Sequence, residues 1–137
     1  MAQVEELMVH PLAFIATDGA GFNPKTTTGL VHPRSFGTAA KFLNWAIGKK
    51  TLDLPAAVKK LTSGPAGKMG LKKRGEIKIG NFADLVIFDP TKIKDKATYE
   101  NPYQFSEGVE YVFVNGKAAL AEGKITGQMP GYALRKN

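Results

Sequence analysis

Apolar positions along the chain follow two different periods. Between Thr38 and Gly48 they fall at Ala39, Phe42, Leu43, Ala46 and Ile47, the i, i+3, i+4, i+7, i+8 spacing of one helical stripe. Gly48 is placed to supply a left-handed C-terminal residue, and Lys49 and Lys50 complement the negative helix end. The spacing recurs at Leu54, Ala57, Val58 and Leu61, with Thr51 or Asp53 as cap and Pro55 tolerated in the first turn. Ser63 before Gly64-Pro65 predicts one more helical turn through Met69.

After Gly70 the period drops to two. Residues 75–80 alternate apolar and charged, and residues 83–88 form an apolar run broken by Asp84 and stopped by Asp89-Pro90. Val109–Val114 and Lys117–Ala121 flank Asn115-Gly116, the strongest two-residue hairpin signal. Glu122-Gly123-Lys124 predicts a second turn before Ile125-Thr126. Near the other end, Pro11 precedes the apolar run Leu12–Ala16, which reads as a buried strand ending at Asp18. Residues 19–37, rich in Gly, Thr, Pro and Asn, predict a long loop, with Gly19, Gly21 and Gly29 at unusual dihedrals. The apolar character of residues 12–16 suits a parallel sheet buried on both faces, yet no parallel partner follows. That mismatch predicts a piece of something larger, or a chain that associates.

Composition narrows the class. The chain has 137 residues, 43% of them hydrophobic, enough for a core. No apolar stretch approaches the ~18 residues of a membrane span. The N-terminus carries two glutamates and no basic region, unlike a signal peptide. Zero cysteines exclude disulfides and thiolate metal sites and are compatible with a cytoplasmic location. The net charge of +7 invites a polyanion partner. The basic residues, however, scatter over Lys49–Lys50, Lys59–Lys60, Lys72–Arg74, Lys92, Lys94, Lys96 and Arg135–Lys136, which reads as solvated surface charge and no nucleic-acid site.

Four segments together resemble a known family: residues 15–19 (IATDG), residues 32–38 (HPRSFGT), residues 75–89 (G-x-I-x-x-G-x-x-ADLV-x-FD), and the VNG and TG-x-x-PG motifs of residues 114–131. They resemble the C-terminal part of the amidohydrolase superfamily, most closely the N-acyl-D-amino-acid deacylases of the D-aminoacylase branch. The resemblance implies an α+β segment. Residues 1–70 would hold the last strand of a (β/α)8 barrel, an active-site loop and closing helices. Residues 71–137 would hold the C-terminal share of a small antiparallel β-sandwich and a tail.

The same resemblance implies the chemistry. Asp18, after the last barrel strand, would be the catalytic general acid/base that takes a proton from metal-bound water and returns it to the leaving amine. Arg34 would hold the substrate α-carboxylate in its planar fork. His32 would line the pocket or orient that loop. Read without the family, Asp18-Gly19 is a turn, Arg34 a solvated loop arginine and His32 a structural histidine. His10 is read as structural, as is Asp84, which needs a hydrogen-bond partner if buried. Trp45 lies off its helical stripe and is expected either to pack on barrel neighbours missing from this chain or to sit half exposed. Zinc, implied for the full-length family enzyme, wants three or four protein ligands. Two histidines without H-x-H spacing hold no complete set, and Asp18 is the one candidate contact. The expectation is therefore a zinc-dependent deacylase of N-acyl-D-amino acids, inactive and metal-free as this chain alone. The alternative is a non-catalytic domain that self-associates through unpaired strand edges.

Overall fold

A computed structural model describes residues 2–23 and 26–135; Pro24 and Lys25 of the predicted loop, and Lys136 of the last basic pair, lie outside the described residues. Four helices precede a four-stranded sheet. The helices are α1 (Ala2–Val9), α2 (Arg34–Lys49), α3 (Leu54–Leu61) and α4 (Ser63–Met69). The strands are β1 (Leu85–Phe88), β2 (Val109–Val114), β3 (Lys117–Ala121) and β4 (Lys124–Ile125).

The predicted helices form with shifted ends. α2 begins four residues before Thr38, at Arg34, because Pro33 already holds helical dihedrals. Its left-handed C-terminal residue is Lys50, not Gly48. Ala40, rather than Ala39, turns inward beside Phe42, Leu43 and Ala46. α3 is capped as expected: the Asp53 carboxylate accepts from the Ala56 N–H at 2.8 Å, with Pro55 in the first turn. Gly70 ends α4 in the left-handed region. The core lies between α2 and α3 and is closed by Ile93, with Phe88 and Val109 bringing the sheet against it. Asn44 fixes that closure by donating to the Ile93 carbonyl at 2.8 Å. Gly108 makes the approach feasible, since its φ is +81° and a Cβ there would sit 2.6 Å from the Ile93 nitrogen. Trp45 is half-buried and packs on a neighbour within the chain: it stacks on Phe42 and donates its indole N–H to Glu5 of α1 at 3.3 Å.

The sheet is an antiparallel meander in the order β1-β2-β3-β4. Asn115-Gly116 joins β2 to β3 and Glu122-Gly123 joins β3 to β4. Both pairs have two positive φ values, the dihedrals of type I′ turns.

Two predicted strands do not form. Residues 12–16 are irregular, with no ladder partner among the described residues; the only strands in reach pair with one another. Residues 75–80 fold into turns instead, and Gly75 and Gly80 both have positive φ. The turns close through Asn81 N–H to the Lys78 carbonyl and the Asn81 amide to the Glu76 carbonyl. Ile77 and Ile79 are left 91% and 102% exposed, so alternation without a neighbouring strand secured neither pairing nor burial.

Asp84 found its partners. It pairs with Arg74 and accepts from the Asn115 N–H at 2.8 Å. Arg74, 11% exposed at the side chain, also donates to Asn115 Oδ1 and the Tyr132 hydroxyl and lies over the Phe82 ring. Burial alone would raise the Asp84 pKa, but the Asn115 N–H and the Arg74 guanidinium outweigh it and hold it below the usual carboxylate value. A depressed folded pKa means the stabilisation is present above the unfolded value of about 3.9 and lost as pH falls through the folded one. Denaturation midpoints between pH 6 and pH 2 should therefore fall steeply below pH ~4 in the parent chain. In Asp84→Asn they should start lower and change less.

Candidate functional site

Asp18 and Arg34, sixteen residues apart, meet at the N-terminus of α2. Arg34 Nη2 lies 2.7 Å from Asp18 Oδ2, and Arg34 Nε donates to the Asp18 carbonyl at 3.2 Å. Asp18 reaches this position with φ +44°, whereas Gly19, Gly21 and Gly29, expected at unusual dihedrals, are not among the residues with positive φ. Gly19 serves another need: a Cβ there would lie 2.8 Å from Ser35 Oγ, so glycine lets the turn press against α2.

The segment leading to Asp18 is held by a lysine from α3. Lys60, expected at the surface, is 7% exposed and donates its ammonium to the carbonyls of His10 at 2.5 Å and Ala13 at 2.9 Å. Its own carbonyl accepts from the Ile15 N–H. Burial lowers its pKa. The signal was present in the spacing, because Lys60 follows Ala57 by three residues, on the buried face of its helix. His10 has the structural part expected of it, and its ring Nδ1 accepts from the Leu12 N–H at 3.2 Å.

His32 stands beside the pair. Its Nδ1 accepts from the Arg34 N–H at 3.0 Å, which supports the first turn of α2, and its Nε2 lies 3.0 Å from the Tyr99 hydroxyl. His32, Arg34, Thr38, Lys41, Asp95 and Tyr99 line an open cleft of about 490 Å³. Lys41 and Asp95 face each other across it at 3.9 Å. Arg34, Thr38 and Lys41 share one helix face by their spacing. Tyr99 was not foreseen: it sits 67 residues from His32 in a polar stretch with no local pattern.

Among the described residues no three His, Cys, Asp or Glu side chains gather into a metal-binding group. Asp18 faces a guanidinium and both histidines are hydrogen-bonded, so the donors present do not fit a zinc site.

The amidohydrolase family pattern matches residues 1–119. The chain belongs to the amidohydrolase family. It is 37% identical to an N-acyl-D-aspartate deacylase of Alcaligenes xylosoxydans xylosoxydans, covering 97% of this chain and 26% of that protein. A crystal structure of D-aminoacylase, described as defining a novel subset of amidohydrolases, superposes with a TM-score of 0.83 at 34% identity over 93% of this chain and 26% of its own. The zinc- and phosphonate-bound N-acyl-D-glutamate deacylase of Bordetella bronchiseptica gives 0.78 at 29% identity, over 90% of this chain and 26% of its own. This amidohydrolase chain thus spans about a quarter of the length of the relatives it matches. Its small α+β fold with an antiparallel sheet is theirs over that quarter.

The ion pair is too exposed to hold the fold together, at 46% and 82% for the two side chains. Asp18→Asn, which removes the charge and keeps a side chain tolerant of the left-handed backbone, should therefore change the unfolding free energy by less than about 1 kcal/mol in a urea titration. A larger loss would make the pair structural.

Proposed function

We propose that this chain supplies the proton carrier and the carboxylate anchor for hydrolysis of N-acyl-D-amino acids. The observation that carries the reading is the pairing of Asp18 with Arg34, whose side chain lines the cleft. A guanidinium presents several N–H donors in one plane, which matches the α-carboxylate that such substrates keep free. Asp18 engages Nη2 and Nε, leaving Nη1 without a partner among the described residues. In amide hydrolysis the attacking water gives up a proton and the leaving nitrogen gains one; Asp18 can take the first and return it. His32 holds Arg34 in register through the Nδ1 bond. The deacylase names of the relatives support the substrate class.

The donors here do not assemble a zinc site, so in this reading metal ligands come from residues beyond these 137, and the 137-residue chain binds no stoichiometric zinc and turns nothing over. Segment 12–16, unpaired among the described residues, would be the last strand of a (β/α)8 barrel, residues 34–69 its closing helices, and β1–β4 the chain's share of a β-sandwich. Calorimetry with N-acetyl-D-amino acids should show weak binding that Arg34→Gln reduces about tenfold or more. Zinc should give no stoichiometric binding, and release of free D-amino acid should stay at background. Measured turnover by the chain would overturn the division of labour.

A second reading rests on a different observation. Val86 and Ile87 of β1 are more than half exposed, the edge of β1 away from β2 has no strand beside it among the described residues, and Ile77 and Ile79 lie bare nearby in sequence. An apolar, uncharged edge invites strand addition. In this reading the chain is a non-catalytic domain that pairs with a second copy. Light scattering after size exclusion at micromolar concentration should then report a dimer or larger, and a strict monomer would remove it.

A further inference from the structure

We infer that Tyr99 is a ligand-binding residue of the cleft, whose hydroxyl donates a hydrogen bond to an oxygen of the bound acyl amino acid. The inference rests on the carboxylate-anchor reading of Arg34 and extends it to a residue that reading does not use.

The argument begins with the His32 proton. A backbone N–H can only donate, so the bond from the Arg34 N–H at 3.0 Å requires a lone pair on His32 Nδ1. In the neutral imidazole the remaining proton then sits on Nε2. Nε2 lies 3.0 Å from the Tyr99 oxygen, so this bond runs from the imidazole N–H to the hydroxyl oxygen. The ring planes meet at 77°, edge to face, consistent with an imidazole edge directed at the tyrosine. The phenol oxygen is thereby an acceptor, and its own O–H proton is directed elsewhere. A hydroxyl that accepts a bond is polarised into a better donor.

Tyr99 is 73% exposed and lines the same cleft as Arg34. A buried phenol would turn such a proton to a protein acceptor; this one faces the cleft with no second partner among the described residues. The relay from the Arg34 main-chain N–H through His32 thus ends at a hydroxyl in the cleft that the Arg34 side chain also lines, which leaves two donors there, a charged fork and a neutral hydroxyl. A ligand with two oxygen-bearing groups, a carboxylate and an acyl carbonyl or second carboxylate, suits such a pair. Among the other charged walls Lys41 faces Asp95 and Lys96 pairs with Glu107, while Glu100, next to Tyr99 in sequence, also lines the cleft.

The test uses the 137-residue chain labelled with nitrogen-15. The two His32 ring nitrogens report the tautomer directly, and the expected result is a protonated Nε2 with an unprotonated Nδ1. A protonated Nδ1 in the neutral ring overturns the inference whatever the ligand does. Titration with N-acetyl-D-aspartate then compares the parent with Tyr99→Phe and Arg34→Gln. Tyr99→Phe should weaken binding about tenfold while leaving the amide spectrum of the sheet unchanged. If Tyr99→Phe binds like the parent while Arg34→Gln does not, Tyr99 is no ligand donor and the anchor reading stands. If the parent itself does not bind the probe, the anchor reading fails and takes this inference with it.

Discussion

Lys60 turns its ammonium under the chain that leads to Asp18, meeting two carbonyls and no carboxylate. A buried cation is tolerated only where its N–H groups are satisfied, and here the His10 and Ala13 carbonyls do that work. The exchange is mutual, since an irregular segment has carbonyls that no strand ladder occupies. Without the contact, residues 10–15 would have little besides the Ile15 N–H bond to place them on α3. Gly64 adds to the grip, for any Cβ there would collide with the Phe14 ring at 2.6 Å. The position of Asp18, and with it the meeting with Arg34, depends on a lysine one helix away.

The two halves of the molecule solve the same problem by different means. In the helical half, polar anchors fix an unpaired apolar segment. In the sheet half, Arg74 gathers Asp84, Asn115 and Tyr132 around one nearly covered guanidinium. Asn115 completes the arrangement by donating its side-chain amide to the Pro130 carbonyl, which ties the tail to the hairpin turn. Both anchors are long cationic side chains that bury their stems and spend their charge on oxygen acceptors. Much of the apolar surface nevertheless stays open, as Leu12, Leu30, Ile77, Ile79 and Met129 show.

Local chemistry was readable in the sequence; partner choice was not. The Asp53 cap and the Asn115-Gly116 turn stand where the residue types demanded, because each depends on a few neighbouring atoms, whereas the left-handed end of α2 fell to Lys50 and not to Gly48. Residues 12–16 and 75–80 failed as strands because a strand exists only beside another, and pairing is a property of the whole fold. Arg34 and His32 were readable as candidates through the family motif, yet their geometry was not: the helix starts at Arg34 itself, which aims the guanidinium back at Asp18. Tyr99 and Lys60 were hidden for opposite reasons. Tyr99 lies in a stretch with no period, and Lys60 looked like half of an ordinary basic pair until Ala57 on the same face proved fully buried.

The meander has a kinetic corollary. Two successive type I′ turns place β2, β3 and β4 within seventeen residues of one another, so most of their contacts close short loops. Short loops cost little entropy to close, and hairpins of this kind form in microseconds. The helical half instead waits for Lys60 to find carbonyls 47 and 50 residues away. By loop length the β2–β4 ribbon therefore closes at less entropic cost than the docking of Lys60 on residues 10–13.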